Sequence, residues 1–180
     1  MKWKTSTIKK KVVDGEVFFE YGRTFYPERL SQGNAMQFIR DLALQHCKGV
    51  GLDIGADIWP LDGSIPIRND KNQNANKLDL FNDESLDYVF SSHCLEHVIE
   101  WEDALKLWIK KLKVNGILFL YLPHESMRLW RVGSPWVNNH KWVPCWEVII
   151  DFLYDQNMKI IDFNADKDEF WSFHIIAKKI

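Results

Sequence analysis

The chain has 180 residues, 46% of them hydrophobic and 27% charged, which is the size and balance of one globular domain with its own core. A net charge of -2 supplies no clustered cationic face for nucleic acid or an anionic membrane. No apolar run reaches the roughly 20 residues of a membrane span, and "MKWKTSTIKKK" lacks the apolar stretch of a signal peptide, so the cytoplasm is the expected compartment. Cys47, Cys94 and Cys145 are odd in number and widely spaced, which fits reduced packing residues and neither a disulfide framework nor a zinc site.

In chain order, residues 11–26 carry an Asp14-Gly15 turn between β-rich flanks, the signal of a hairpin. "SQGNAMQFIRDLALQHC" follows, with Met36, Ile39, Ala43 and Cys47 on one helical stripe and Gly49 closing it. Five short apolar runs then read as buried strands: "VGLDI" (50–54), "SIPI" (64–67), "KLDL" (77–80), "LDYVFSS" (86–92) and "GILFLYL" (116–122). "WEDALKLWIKKLKVNG" is a helix with Trp101, Leu105, Trp108 and Leu112 on one stripe and Asn115-Gly116 as the stop. "EVIIDFLYDQN" predicts a further helix, and "KIIDFNADKDEFWSFHIIAKKI" two strands joined by a charged turn. Alternating strands and helices predict a mostly parallel sheet with helices on both faces, and a closing hairpin must reverse direction at the edge.

The turn after the first of these strands, "GADIWP", selects among ligands. A dinucleotide site needs G-x-G-x-x-G so that backbone N–H groups can approach a pyrophosphate. Here Asp57 stands where a second glycine would, and its carboxylate repels phosphate. A nucleoside without phosphates suits this loop better.

The order "LDIGA", "LDL", "DYVFSSHCLEHV", "NGILFLYLPH" and a final hairpin resembles the S-adenosylmethionine-dependent methyltransferases of the Rossmann-like class over roughly residues 35–180. More narrowly, it looks like small methyltransferase-domain proteins whose fourth strand ends in "HxLEH" and whose later loop carries "NH". The resemblance implies a three-layer α/β sandwich with a mostly parallel seven-stranded sheet ending in an antiparallel hairpin. Residues 1–31 would form an N-terminal hairpin extension and residues 32–180 the methyltransferase-like domain. The implied cofactor is S-adenosylmethionine. Asp53, Gly55, Ala56 and Asp57 would hold its methionine half, Asp79 and Leu80 its adenine side, and Ser92 and His93 the end of the fourth strand.

In one respect the sequence departs from that family. Its second strand usually ends in an acid that accepts both ribose hydroxyls, but here "SIPI" runs into Arg68, leaving Asn69 or Asp70 for the ribose. "WPLDGSIP" also replaces most of the helix that normally links the first two strands.

His93, Glu96 and His97 form a dense local cluster. H-x-x-E-H occurs in zinc proteins where one helix presents both histidines, but this stretch directly follows a strand end and no third ligand is identifiable, so no metal is expected. The acceptor side is expected in residues 122–146, a long segment with Trp130, Trp136, Trp142 and Trp146 among polar groups. Trp136, Asn139, Trp142 and Arg128 are the expected acceptor contacts. His140, then His124, are the expected bases for a hydroxyl, since an imidazole titrates near neutrality.

The function expected is methyl transfer to a small polar acceptor, a sugar or related metabolite hydroxyl, with no nucleic-acid or membrane partner and a homodimer as the assembly to look for. The alternative is a degenerate, non-enzymatic relative whose tryptophan-rich loop is a protein contact surface.

Overall fold

Strands β1 (Lys9–Val13) and β2 (Glu16–Tyr21) pair antiparallel across Asp14-Gly15. Both turn residues are left-handed (φ 52° and 84°), as a type I′ hairpin requires. In the computed structural model, which describes residues 8–69, 73–134, 136 and 139–180, β3 (Thr24–Pro27) extends the expected hairpin to a three-stranded sheet. Tyr26 and the following Leu30 pack with Met127, Leu129, Trp130 and Phe170, which fastens this sheet to the far end of the chain.

Helix α1 (Met36–His46) buries Met36, Ile39 and Ala43, with Cys47 buried just beyond, as the stripe predicts. The main sheet comprises β4 (Gly51–Ile54), β5 (Ile65–Ile67), β6 (Leu86–Ser92), β7 (Leu112–Pro123), β8 (Met158–Asn164) and β9 (Ser172–Lys179), in the order β5-β4-β6-β7-β9-β8. The first four run parallel, and β9 runs antiparallel to both β7 and β8. Helices α2 (Trp101–Lys111) and α3 (Trp146–Asp155) cover one face, where Leu105, Trp108, Ile149 and Leu153 meet Val89, Leu118 and Leu120. Helix α1 covers the other, against Tyr88, Phe90, Phe119 and Tyr121. Alternate residues of β6 and β7 thus serve opposite cores, which is why these strands are apolar almost throughout.

Among the described residues the main sheet has six strands where seven were expected. "KLDL" is a turn: an isolated bridge joins Asn74 to Lys77, Leu78 is fully buried, and Asp79 and Leu80 are exposed. The neighbouring β5 is only three residues long with Pro66 at its centre, a short edge strand that gives a further strand little to pair with. Leu78 enters the core as a loop residue, and the Trp108 indole N–H donates to the Ala75 carbonyl at 2.7 Å, pinning the same loop. Trp108→Phe strands that carbonyl and trims a fully buried ring, so urea unfolding should show a loss of about 1–2 kcal/mol. A change below ~0.3 kcal/mol would mean that the bond holds nothing in place.

Among the described residues, no helix is long and apolar enough to cross a membrane.

Candidate active site

Strand β4 ends in Asp53, Ile54 and a sharp turn at Gly55. Asp53 is buried, and its carboxylate accepts the Leu61 backbone N–H at 2.8 Å, which folds residues 55–61 back over the strand end without a helix. Burial pushes the Asp53 carboxyl up to about 7, with the Leu61 N–H pulling the other way. Gly55 has φ 87°, and its N–H closes onto the Ile67 carbonyl of β5. A Cβ at Gly55 would lie 2.4 Å from Cys94 Cβ and 2.7 Å from its Sγ. The residue pressed against this glycine is therefore Cys94 of the protein itself. Arg68, in place of the usual acid, donates from Nε to the carbonyls of Ala56 and Asp57 at 3.2 and 2.9 Å, tying the β5 end to the glycine turn.

Three cavities meet at this turn, all touching Gly55. One of about 150 Å³ takes in Asn34, Asp53, Ala56, Asp57, Ser92 and His93. A second, of about 550 Å³, runs past Arg68 and Asn69 to Asn139 and Lys141. A third, of about 290 Å³, lies between Arg68, Ala75 and Asn76 on one side and Val98, Ile99 and Glu100 on the other. Together they form a groove along the carboxyl edge of β4, β5 and β6, where open α/β sheets bind ligands.

Beyond His93 lies a separate cavity of about 430 Å³. The N-terminal segment supplies Leu30, Ser31, Gly33, Asn34 and Ala35, while Trp130, Trp136 and Phe170 add aromatic faces. Its polar wall is His93, Glu96, His97 and His140. His93 holds a left-handed backbone (φ 49°) at the end of β6, a conformation uncommon for non-glycine residues and enriched at functional sites. It lines the groove and the cavity alike.

Three hydrogen bonds bring His140 to this wall. The Lys141 N–H donates to the Glu96 carbonyl (2.8 Å), the Trp142 indole donates to the Leu95 carbonyl (3.0 Å), and the His97 ring meets the Asn139 carbonyl (3.4 Å). Glu96 is wholly buried, and neither carboxylate oxygen has a partner in another residue among those described. Burial pushes its carboxyl up to about 8. Burial also drives His93 down to about 3 and His140 to about 4, and lowers His97, so all three imidazoles are neutral at pH 7.

Residues 34–120 match the family model described as "Methyltransferase domain". Over that stretch, just under half of its length, the chain is similar to the S-adenosylmethionine-dependent methyltransferases of the Rossmann-like class. No curated protein sequence matches it. Among solved structures, the chain is similar in fold to a SAM-dependent methyltransferase from Thermotoga maritima. That match has 16% identity, a TM-score of 0.64, and covers 84% of this chain and 92% of the other. A SAM-dependent methyltransferase from Archaeoglobus fulgidus gives 19% identity and a TM-score of 0.58 over 84% and 97%. An S-adenosylmethionine-dependent methyltransferase from Mesorhizobium loti gives 11% and 0.60 over 83% and 100%.

The cofactor of this class is S-adenosylmethionine. Asp53, a buried acid, lines the smallest of the three cavities of the groove. The structure gathers Asp53, Gly55, Ala56, Asp57, Ser92 and His93 around one cavity and puts Asn69 farther along the groove. Asp70 lies outside the described residues. Asp79 and Leu80 face solvent and line none of these cavities. Ala75, Asn76, Val98 and Ile99 line the third cavity of the groove.

Of the acceptor-side residues, His140 and Trp136 line the large cavity and Asn139 the groove. Trp142 instead stacks on Trp101, at 5.0 Å between ring centroids. Arg128 is exposed and lies over the Tyr21 ring at 5.5 Å. His124 is not brought to the wall; its Nδ1 accepts the Ser126 N–H at 3.1 Å. The four tryptophans do not make an exposed docking face: Trp130 is buried, Trp136 packs edge-on against Phe19, and Trp146 stacks on Phe163. Sequence reasoning singled out Glu96 in the His93–His97 cluster without giving it a site role, and missed the roof of residues 30–35.

Proposed function

We propose that this methyltransferase places a methyl group on a hydroxyl of a small polar metabolite of sugar-like character. The observation that carries the reading is the 430 Å³ cavity, separated from the cofactor groove by His93, with aromatic faces opposite a polar wall. Its size lies within the roughly 300–1,000 Å³ of small-molecule pockets. Flat apolar rings beside Ser31, Asn34 and neutral imidazoles suit a ligand with apolar ring faces and hydroxyl edges.

S-adenosylmethionine supplies a methyl carbon already activated on a sulfonium, so the protein's task is alignment. Asp53 meets the ammonium, Gly55 to Asp57 and Ser92 shape the methionine half, and Asn69 lies beside the ribose. Trp136 and the 30–35 segment hold the acceptor with its hydroxyl toward His93 and His140. As the new O–CH₃ bond forms, the S–CH₃ bond breaks and the hydroxyl proton is lost to the histidine wall, leaving S-adenosylhomocysteine.

The test couples product detection to acceptor screening. Purified protein with S-adenosylmethionine and a panel of monosaccharides, polyols and small amines should release S-adenosylhomocysteine only with hydroxyl-bearing acceptors. Turnover confined to amines would overturn the reading. Trp136→Ala should raise the acceptor KM about tenfold while S-adenosylhomocysteine affinity by calorimetry stays unchanged, since one aromatic face is worth about 0.5–1.5 kcal/mol. An equal loss in both would place Trp136 on the cofactor side instead.

A further inference from the structure

Glu96 is wholly buried with no hydrogen-bond partner from another residue, and no lysine or arginine pairs with it among the described residues. Buried polar atoms are nearly always satisfied, and a buried charge is paired or bound to a metal. What faces Glu96 is a ring of imidazoles. His93 Nδ1 is 3.5 Å and His140 Nε2 is 3.7 Å from the same Oε1, and one ligand atom each from Glu96, His97 and His140 lies within 4.8 Å of the others.

The outer contacts of these rings point the same way. The Ser172 hydroxyl is within reach of both the Phe170 carbonyl (3.1 Å) and His93 Nε2 (2.8 Å). If its proton goes to the carbonyl, Nε2–H is the donor to Ser172, and His93 turns a bare Nδ1 lone pair toward the carboxylate. His97 uses Nδ1 on the Asn139 carbonyl, which leaves Nε2 free. His140 turns its Nε2 toward Glu96 at 3.7 Å. His93 and His97 are thus each oriented through one nitrogen by a protein group, the arrangement that fixes metal-binding imidazoles. Lone pairs facing a carboxyl oxygen repel it unless a proton or a metal ion stands between them, and one proton can serve only one of the two nitrogens, His93 Nδ1 and His140 Nε2, that face Glu96 Oε1.

We propose that Glu96, His97 and His140 bind one divalent transition-metal ion of the zinc type. Two imidazoles with one carboxylate suit zinc and its first-row neighbours, and calcium or magnesium poorly. Ligand atoms around a tetrahedral zinc stand about 3.3 Å apart for bonds of about 2.0–2.1 Å; here the three ligand atoms lie within 4.8 Å of one another, with His140 Nε2 3.7 Å from Glu96 Oε1. The three ligands leave the fourth tetrahedral position open, and all of them border the 430 Å³ cavity, so that position faces whatever occupies it. The proposal deepens the proposed function and, for the ion's role only, rests on that reading. An acceptor hydroxyl coordinated there loses its proton more readily, the proton leaving to solvent water, and His140 then serves as ligand rather than base.

Metal binding is measured apart from methyl transfer. Chelator-treated protein titrated with Zn²⁺ should take up one ion per chain, and Co²⁺ should give visible absorption bands of a four- or five-coordinate centre. Glu96→Gln, which keeps the size of the side chain, and His97→Ala, at the most accessible of the three ligands, should each weaken Zn²⁺ binding at least about 100-fold with circular dichroism unchanged. No uptake of Zn²⁺ or Co²⁺ by folded wild-type protein up to about 1 mM would overturn the proposal. So would undiminished affinity in folded Glu96→Gln or His97→Ala protein. Failure of this proposal and of the methyl-transfer reading separate cleanly. Acceptor-dependent turnover that persists in chelator without bound metal sinks the ion alone. Stoichiometric Zn²⁺ bound through these ligands, in a protein without hydroxyl-directed turnover, upholds the ion and removes the acceptor.

Discussion

Gly55→Val should cost the fold about 2–5 kcal/mol, enough to leave much of the protein unfolded at 37 °C. Two independent penalties add. The new Cβ would sit 2.4 Å from Cys94 Cβ, with Cys94 Cα 3.6 Å away, so relief requires moving the start of the 95–97 turn. A branched residue must also adopt φ 87°, which left-handed backbone makes costly for any side chain. From sequence alone, the same substitution would be expected to block the cofactor in a folded protein; the contact with Cys94 turns it into a folding defect. Denaturant unfolding decides the matter, with Gly55→Val/Cys94→Gly as the control. The double variant should recover part of the loss because the clashing partner is gone while the backbone strain stays. A Gly55→Val protein as stable as its parent would mean that the 53–57 turn is not packed on Cys94.

Asp53→Asn should remove a pH dependence from both stability and cofactor binding. The folded carboxyl is held up to about 7, against about 3.9 in an unfolded chain. Between those values the folded protein holds a proton that the unfolded one has released. Stability is therefore fully present below about pH 4 and falls as pH rises through 7, by about 4 kcal/mol at most. Asparagine keeps an oxygen for the Leu61 N–H and never ionises, so the variant should unfold at higher urea than its parent at pH 8, with the difference shrinking steadily toward about pH 4. Binding should run the other way. With Asp53 as counter-charge to the cofactor's ammonium, wild-type affinity for S-adenosylhomocysteine should climb about tenfold per pH unit from 5.5 to 7. The variant should bind weakly with a flat profile. The other titratable groups near Asp53 do not mimic this slope. Cys47 is pushed to about 12 and His93 down to about 3, outside the window. Equal affinity of variant and parent at pH 7.5 would take Asp53 away from the ammonium.

The legible parts of the sequence were those fixed by local periodicity. The stripe Met36, Ile39, Ala43 and Cys47 is buried as a unit, and β6, β7 and the terminal hairpin are long enough for their apolar runs to be unambiguous. "KLDL" misled because four residues with two leucines fit a strand and a loop equally. Only the Trp108 to Ala75 bond and the burial of Leu78 decide between them. In the site, residues 53–57 and 92–93 could be placed because they end strands of known order. The meeting of Glu96 with His140 could not, since it depends on Lys141, Trp142 and Asn139 bonding to the 95–97 turn across a wide gap in sequence. The tryptophans show the same limit: composition marks them as important, but which way each indole faces is settled by Trp101, Phe19 and Phe163.

The roof over the 430 Å³ cavity begins at Leu30 and Ser31, ahead of residue 34, where the match to the methyltransferase family starts. The groove assigned to the cofactor is built largely from the matched stretch, whereas the proposed acceptor chamber borrows a wall from Leu30, Ser31 and Gly33 ahead of it. Acceptor choice and methyl-donor binding thereby rest on separable parts of the chain. Chimeras that graft other leaders onto residue 34 are thus the natural route to redirecting this protein.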